Sequence, residues 1–440
     1  GAAARQVGGF GAREVSEACW AAAKLRLGHG QFWDGAAQAA AARAGELSRQ
    51  ELAIVAWAFA TAGRAAPAAF QAVADAVLPE VAALSTKSLA NLAWAFAKAG
   101  RRDPLLFDAL ARASREKAGQ FNDQELANVA WAFATADRHD ADAFAALAAR
   151  ARGGAASLSQ QALANLAWAF AKASCADAPL FDSLAEVAAM QAGGFNEQSI
   201  ANIAWAFAAA GRDHRGLFDA LAAAVADRSG QLRPQAIANV AWAFAKVGRD
   251  DPEVFAALAA AARGRVGALG GQHVANVAWA FAEARHDDRA LFQALAGQAE
   301  TLASSLTDHS VANIAVAFVK VRWDDAGLFG ALATVVKSKA SGFSGHSLAK
   351  AAWAFAKLDA VDADLSRALA VAAKGRACGL GALDIASLMW SFPKVGGACA
   401  DLDGALAGAA RARAPACGSQ ELAVVARAFA TRYPRLLALR

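Results

Sequence analysis

Three polar side chains recur at fixed distances from a repeated tryptophan, and together they suit an anionic ligand that also offers hydrogen-bonding edges. With the tryptophan as position 0, glutamine predominates at position −7, asparagine at −3 and lysine at +4. Amides both donate and accept hydrogen bonds, whereas lysine contributes a positive charge. In a nucleic-acid complex, amides of this kind contact base edges and lysines contact phosphates.

The candidate RNA-binding residues occupy these three positions, with lysine or histidine replacing the amide in a few repeats. They are Gln50, Lys87, Asn91, Lys98, Gln124, Asn128, Gln161, Asn165, Lys172, Gln198, Asn202, Gln235, Asn239, Lys246, Gln272, Asn276, His309, Asn313, Lys320, Lys350 and Lys357.

Asparagine at −3 fills seven consecutive repeats although it is mildly unfavourable inside a helix. One explanation is a structural row in which each amide bonds to the next helix or to a backbone carbonyl. The other is that the amides face the bases of a ligand, and both hold if the row forms the wall of a groove. The tryptophan similarly suits packing between repeats or a stacking platform for bases.

Position −6 varies between otherwise similar repeats: it is Glu51, Ser88, Glu125, Ala162 and Ser199 in succession. A modular base reader needs such variation within a constant frame. An exposed residue of the first helical turn would vary in the same way, so the sequence leaves both interpretations open.

The tryptophans that carry this pattern are 37 residues apart, and this period fixes the organisation of the chain. They are Trp20, Trp57, Trp94, Trp131, Trp168, Trp205, Trp242, Trp279, Trp353 and Trp390, with Val316 and Arg427 at two further positions of the series. A phenylalanine follows 13 residues later in most repeats, as at Phe107 and Phe144.

Each repeat reads as two helices. Residues that cap helices stand nine positions before the tryptophan, and aspartate, as in Asp103-Pro104, opens the second helix. Glycine six positions after the tryptophan, as at Gly63 and Gly100, ends the first helix. On a helical wheel, positions −5, −2 and +2 face the second helix, alanines at −4, −1 and +3 form a close-packing flank, and positions −7, −3 and +4 lie opposite.

We therefore predict an all-α fold, a right-handed α-solenoid of twelve 37-residue helix-turn-helix repeats whose last repeat is incomplete. Residues 1–10 form an N-terminal lead-in and residues 11–440 a single array. The predicted repeats are 11–47, 48–84, 85–121, 122–158, 159–195, 196–232, 233–269, 270–306, 307–343, 344–380, 381–417 and 418–440.

Bulk properties narrow the function classes. The net charge of +5 and the pI near 9.0 permit an anionic partner without demanding one, and no apolar stretch is long enough to predict a membrane span. The five cysteines form no CxxC pair and suggest small buried thiols. Nucleotide-binding, zinc-protease and hydrolase motifs are absent, so we expect no enzyme, cofactor or metal.

The repeat resembles the heptatricopeptide repeats of organellar RAP-associated proteins and the related octotricopeptide repeats of algal organelles. The line from Pro234 and Gln235 through Asn239 and Trp242 to Lys246 carries the likeness, which extends over residues 11–440. The resemblance implies a single-stranded RNA or ribosomal RNA partner in a mitochondrion or plastid, with protein partners in a ribonucleoprotein. It also implies a role in transcript stability, processing, translation or ribosome assembly.

Two expectations of the resemblance have no support in the residues themselves. No C-terminal RAP domain and no intact targeting peptide is visible, so the expected location depends on the resemblance alone. The alternative function is a protein–protein interaction scaffold, since helical repeats also grip peptides on such a surface.

Overall fold

The computed structural model describes residues 7–358, 362–394 and 400–432, and within these ranges it contains 23 α-helices and no β-strand. The predicted all-α fold is confirmed. In chain order the helices are α1 (Ala12–Lys24), α2 (Gly30–Ala42), α3 (Arg49–Thr61), α4 (Pro67–Val77), α5 (Thr86–Lys98), α6 (Pro104–Glu116), α7 (Asp123–Thr135), α8 (Ala141–Gly153), α9 (Gln160–Lys172), α10 (Ala178–Gln191), α11 (Glu197–Ala209), α12 (Arg215–Arg228), α13 (Pro234–Lys246), α14 (Pro252–Gly264), α15 (Gly271–Glu283), α16 (Arg289–Thr301), α17 (Asp308–Lys320), α18 (Ala326–Lys339), α19 (Gly345–Leu358), α20 (Ala363–Gly375), α21 (Ala382–Ser391), α22 (Ala400–Arg413) and α23 (Ser419–Arg432).

The odd-numbered helices are the first helices of the repeats and the even-numbered ones are the second helices. The chain divides into two compact units, Gly1–Ala224 and Val225–Arg440. In the first unit α7 packs against α5 and α9, and in the second α15 packs against α13 and α17. Second helices pack on second helices in the same way, so neighbouring hairpins stack as in a solenoid. The single array and its repeat boundaries stay predictions, and parts of the segments 1–10 and 418–440 lie outside the described residues.

Side-chain caps begin the helices where the sequence predicts them. At first helices the cap oxygen accepts from the backbone N–H three residues on: Ser48 from Glu51, Ser85 from Ser88, Asn122 from Glu125, Ser159 from Ala162, Asn196 from Ser199, Thr307 from Ser310 and Ser344 from Ser347. At second helices Asp103 accepts from Leu106 at 2.9 Å and Asp251 from Val254 at 3.2 Å. These bonds satisfy N–H groups that have no partner inside the helix.

Each of the nine first helices from α1 to α17 is followed by a residue with positive φ, six positions after the tryptophan position. Glycine occupies this place at Gly63 and Gly211, with φ of 63° and 67°. Other repeats use residues with a Cβ, including Asp137 at 59° and Ser174 at 54°. The turn geometry is therefore constant even where the predicted glycine is missing, and those repeats carry the cost of a left-handed residue.

Aromatic contacts join successive repeats in the core. The predicted inner face is buried: Leu126, Val129 and Phe133 are each at most 1% exposed. The phenylalanine of a second helix meets the phenylalanine at +2 of the next first helix edge to face, as in Phe144–Phe170, whose ring centroids are 5.1 Å apart. Equivalent pairs are Phe70–Phe96, Phe107–Phe133, Phe181–Phe207, Phe255–Phe281, Phe292–Phe318 and Phe329–Phe355.

We expect Ser174→Gly to raise the free energy of unfolding by about 1 kcal/mol, because glycine adopts the left-handed conformation without the clash of a Cβ. The matched variant is Gly211→Ser at the equivalent position, where an added Cβ would meet no atom within 4 Å. It should lose about 1 kcal/mol through backbone conformation alone. Urea denaturation of the two variants and the unchanged protein measures both effects, and shifts of the same sign would contradict this account.

Candidate nucleic-acid interface

The residues at positions −7, −3 and +4 of the first helices lie on one side of those helices, and we call them the polar edge. Six asparagines of the polar edge share one environment: Asn91, Asn128, Asn165, Asn202, Asn239 and Asn276 are half-buried near the middle of their helices. None of these six side-chain amides hydrogen bonds with another group in the part of the chain that the structure describes. An intramolecular amide row therefore does not explain them.

Asn313 behaves differently from those six. It is buried, with 7% of its surface exposed. Its Oδ1 accepts a hydrogen bond from Lys350 Nζ in the next repeat at 3.1 Å, and its Nδ2 lies 2.9 Å from His309 Nε2. Since Oδ1 is the acceptor for lysine, Nδ2 donates to a neutral His309. Among the asparagines at −3, Asn313 is thus the one whose amide bonds to the next helix, as the structural explanation requires.

Neighbouring positions of the same repeats are also paired within the chain. Lys320 forms an ion pair with Glu283, and His346 Nδ1 lies 2.8 Å from the Asp384 carboxylate. Burial lowers the pKa of Lys350, while nearby Asp384 opposes that change. From Glu283 onward the polar edge thus carries internal partners for several of its charged and amide groups.

The glutamines at −7 are exposed, and a polar cleft opens beside two of them. This cleft, of about 460 Å³, lies between α9 and α11 and is lined by Gln161, Asn165, Gln198 and Asn202 together with neighbouring polar residues. No charged side chain lines it. The cleft therefore offers neutral donors and acceptors in a space that a flat polar group, such as a base edge, can enter.

Exposed lysines flank these amides at +4. Lys98, Lys172 and Lys246 are exposed, and none of them has an acidic partner among the residues that the structure describes. Lys24 and Lys357 instead lie over tryptophan rings, with Lys357 Nζ 4.9 Å from the Trp390 centroid. Lys87, at −7, is exposed as well. These ammonium groups are available to an anionic ligand.

On the second helices, by contrast, charged side chains form ion pairs between repeats. Arg152 pairs with Asp177 of the next repeat at 2.9 Å, and Arg115 pairs with Asp142 at 3.1 Å. In the second unit Arg263 pairs with Asp288 and Lys337 with Asp362. The cations of this face thus join neighbouring repeats, whereas several cations of the polar edge do not.

The tryptophans pack on one another between repeats. Ring centroids of Trp94 and Trp131 are 6.4 Å apart, those of Trp131 and Trp168 are 6.3 Å apart, and those of Trp168 and Trp205 are 6.4 Å apart. In the second unit Trp242 and Trp279 repeat the arrangement at 6.4 Å. This geometry favours the packing role and leaves the half-buried rings beside the amides.

Position −6 has a structural task that the sequence pattern does not show. It is the third residue of each first helix, and where it is polar its side chain can turn back toward the cap, as Ser88 and Ser347 do. Ser88 and Ser347 are 6% and 1% exposed, and their hydroxyls lie within hydrogen-bond distance of the cap hydroxyls of Ser85 and Ser344. Of the two interpretations that the sequence leaves open at this position, the base reader is the less favoured at these buried serines, because their hydroxyls already contact the cap.

The described ranges contain no other cluster of reactive side chains. No three His, Cys, Asp or Glu side chains there are placed to hold a metal ion, and no helix there has the length and apolarity needed to cross a bilayer. Cys19 is buried, and burial raises the pKa of its thiol to about 12. Cys378 is exposed, contrary to the expectation of buried thiols, and Cys399 lies outside the described residues.

The family of this chain follows from the match of its sequence to a known protein family. The family model described as RNA-editing substrate-binding complex 6 protein matches residues 40–364 and residues 248–412, which together cover more than half of the chain. The chain belongs to this family. Membership in the RNA-editing substrate-binding complex 6 family supports an RNA-associated protein with helical repeats. The finer resemblance to heptatricopeptide and octotricopeptide proteins stays a prediction.

The other comparisons add little to the family assignment. No curated protein matches the sequence. Among solved structures, a chain described as "Homology model of the full-length AP-3 complex in an intermediate open conformation" matches with 8% identity and a TM-score of 0.34. The match covers 95% of this chain and 79% of that one, but a likeness at this score carries no argument about fold or function.

Replacement of two asparagines separates the amides without an internal partner from the one that has a structural role. Asn165→Ala removes an amide without an internal partner and should leave the free energy of unfolding unchanged or raise it by about 0.5 kcal/mol. Asn313→Ala deprives half-buried Lys350 of its acceptor and should lower that free energy by about 1–3 kcal/mol. Chemical denaturation measures both free energies of unfolding. If both variants lose the same amount, Asn165 also makes a stabilising bond within the chain.

The stability of the second unit should fall in mild acid because of His309. Burial lowers the pKa of this histidine, and the charge of Lys350 lowers it further. The unfolded chain then binds the proton more readily, so stability is complete above the ordinary pKa of about 6.5 and decreases as the pH falls below it.

The variant His309→Gln installs the residue found at −7 in most other repeats and removes this titration. We expect its midpoint of thermal unfolding to fall less than that of the unchanged protein between about pH 7.5 and about pH 5.5. His273, whose pKa burial also lowers, contributes equally to both proteins. Parallel pH profiles would show that His309 does not titrate in this range.

Proposed function

We propose that this chain is a non-catalytic protein that binds single-stranded RNA along the polar edge. The observation that carries the proposal is the set of six half-buried asparagine amides that lack internal hydrogen bonds. These amides keep contact with solvent and have no partner within the chain, so their donors and acceptors are open to an external ligand, and their repetition on successive first helices favours an extended one. Membership in a family described as RNA-editing substrate-binding complex proteins supports RNA as that partner.

The chemistry of the polar edge favours a single strand over a duplex. Amides within a cleft, such as Asn165 and Asn202, contact bases only if those bases are unpaired and turned toward the protein. Lys98, Lys172 and Lys246 would meet the phosphates and supply the salt-sensitive part of the affinity. The glutamines at −7 and the asparagines at −3 would supply base preference, at roughly one nucleotide per repeat by analogy with other modular readers.

For the biological role we propose RNA metabolism in an organelle. The resemblance to heptatricopeptide and octotricopeptide proteins supports transcript stability, processing, translation or ribosomal RNA assembly, in a mitochondrion or plastid. A mitochondrial location is compatible with the family. Protein partners within a ribonucleoprotein fit a protein whose family is described as part of a complex.

Simultaneous replacement of Lys98, Lys172 and Lys246 by glutamine tests the proposal. We expect the affinity for a mixed-sequence single-stranded RNA to fall roughly tenfold to a hundredfold near physiological salt, with the dependence of log K on log salt less steep by about 2. Fluorescence anisotropy at several salt concentrations measures both quantities, and a duplex of the same sequence should bind more weakly.

The matched control removes the same charge from the second helices through Arg112→Gln, Arg215→Gln and Arg289→Gln, three exposed positions. This variant should keep most of the affinity of the unchanged protein. If both triple variants lose the same affinity for RNA, the loss reflects the change in net charge and not the position of the lysines. If the protein binds no RNA but retains a salt-insensitive protein partner, the scaffold function replaces the RNA function.

A further inference from the structure

The second repeat departs from the pattern at the position that defines the polar edge. Position −3 is Ile54, where the next seven repeats have asparagine. In the first repeat this position is Glu17, whose carboxylate pairs with Arg13 at 2.8 Å. The second repeat therefore presents an apolar side chain where the next seven repeats present an amide.

A pocket of about 460 Å³ opens over Ile54, between α1, α3 and α5. Trp20 and Trp57 contribute aromatic surface to its lining, and Lys24 and Lys87 contribute positive charge. Its lining combines aromatic, aliphatic and polar side chains, whereas the cleft beside Asn165 is lined by polar groups and alanine without any aromatic ring. The two sites therefore suit different ways of holding a base.

The tryptophans here are not packed on one another as they are further along. No ring contact joins Trp20 to Trp57, or Trp57 to Trp94, among the described residues. Trp20 is 49% exposed, and Lys24 Nζ lies 5.4 Å from the Trp57 ring centroid. The indole face of Trp20 is thus open to a flat aromatic ligand.

The charges of the pocket specify the rest of the ligand. Lys24 and Lys87 are both exposed, and no carboxylate lines the pocket. Gln50 and Asn91 border it and provide neutral donors and acceptors. A ligand that fits has a flat aromatic part, an anionic group beside it and a few polar atoms at its edge, which is the chemistry of a nucleotide.

We propose that this pocket binds one purine nucleotide of the RNA strand, with its base against Trp20 and Ile54 and its phosphate at Lys24 and Lys87. The proposal rests on the proposed RNA function and adds a subsite that recognises a base by stacking. The volume suits a ligand of nucleotide size. Because stacking grows with ring area and uses no specific edge, the subsite accepts adenine and guanine and disfavours pyrimidines.

The test uses RNA oligonucleotides in which 2-aminopurine replaces one base at a time, since stacking on an indole quenches this fluorophore. With the full chain we expect strong quenching at one position, and roughly tenfold weaker binding when that position is a pyrimidine or abasic. Trp20→Ala should remove both effects and leave the salt dependence of the remaining contacts unchanged. Leu25→Ala is the matched control, because Leu25 is 71% exposed and does not line the pocket.

Ile54→Asn tests the same subsite without removing an aromatic ring. It restores the asparagine found at this position in the next seven repeats, so the fold should be retained, which circular dichroism checks. We expect the purine preference to fall at least threefold. If both Trp20→Ala and Ile54→Asn behave like Leu25→Ala while RNA still binds, the stacking subsite is refuted and the RNA function stands. If the unchanged protein binds no RNA, both proposals fail.

Discussion

Edge-to-face contact between phenylalanines of successive repeats is the interaction on which each compact unit depends. One hairpin of about 37 residues cannot cover its own apolar face, so its stability comes from its neighbours. Pairs such as Phe144–Phe170 link the second helix of one repeat to the first helix of the next. Buried alanines on the flanks of the first helices let these helices approach closely. As a result, equivalent side chains of neighbouring first helices lie beside one another.

The charged side chains of the first helices and those of the second helices have different partners. Second helices pair arginine or lysine with an aspartate of the next repeat, as in Arg152–Asp177, and so reinforce the stacking. First helices of the middle repeats leave asparagine amides and several lysines without such partners. Around Asn313 the pairing resumes through Lys350 and Glu283. This contrast is the reason why we propose the middle first helices as the RNA-binding surface.

Much of the fold could be predicted because the determining signals are local or strictly periodic. The 37-residue period, the caps such as Ser48 and the apolar positions of the helical wheel depend on spacing alone. The left-handed end at Ser174 could not be predicted from its residue type, because serine, unlike glycine, does not indicate that conformation.

The site was less predictable, because hydrogen-bond partners come from other repeats. The pattern places Asn165 and Asn313 in the same class, and only the position of Lys350 separates them. The buried Ser88 reads as an exposed first-turn residue until its contact with the Ser85 hydroxyl is seen. The pocket over Ile54 depends on two tryptophans that do not meet, which no spacing reveals.

Each kind of link between neighbouring repeats recurs at its own nearly constant sequence offset, and this affects how such a protein can change in evolution. Lys117 donates to the carbonyl of Ala82, 35 residues earlier, and Arg376 donates to that of Ser341 over the same distance. Duplication or loss of one whole block in the gene would join two surfaces that already fit. The protein can therefore lengthen or shorten in single steps, and the proposed RNA footprint would change by one increment each time.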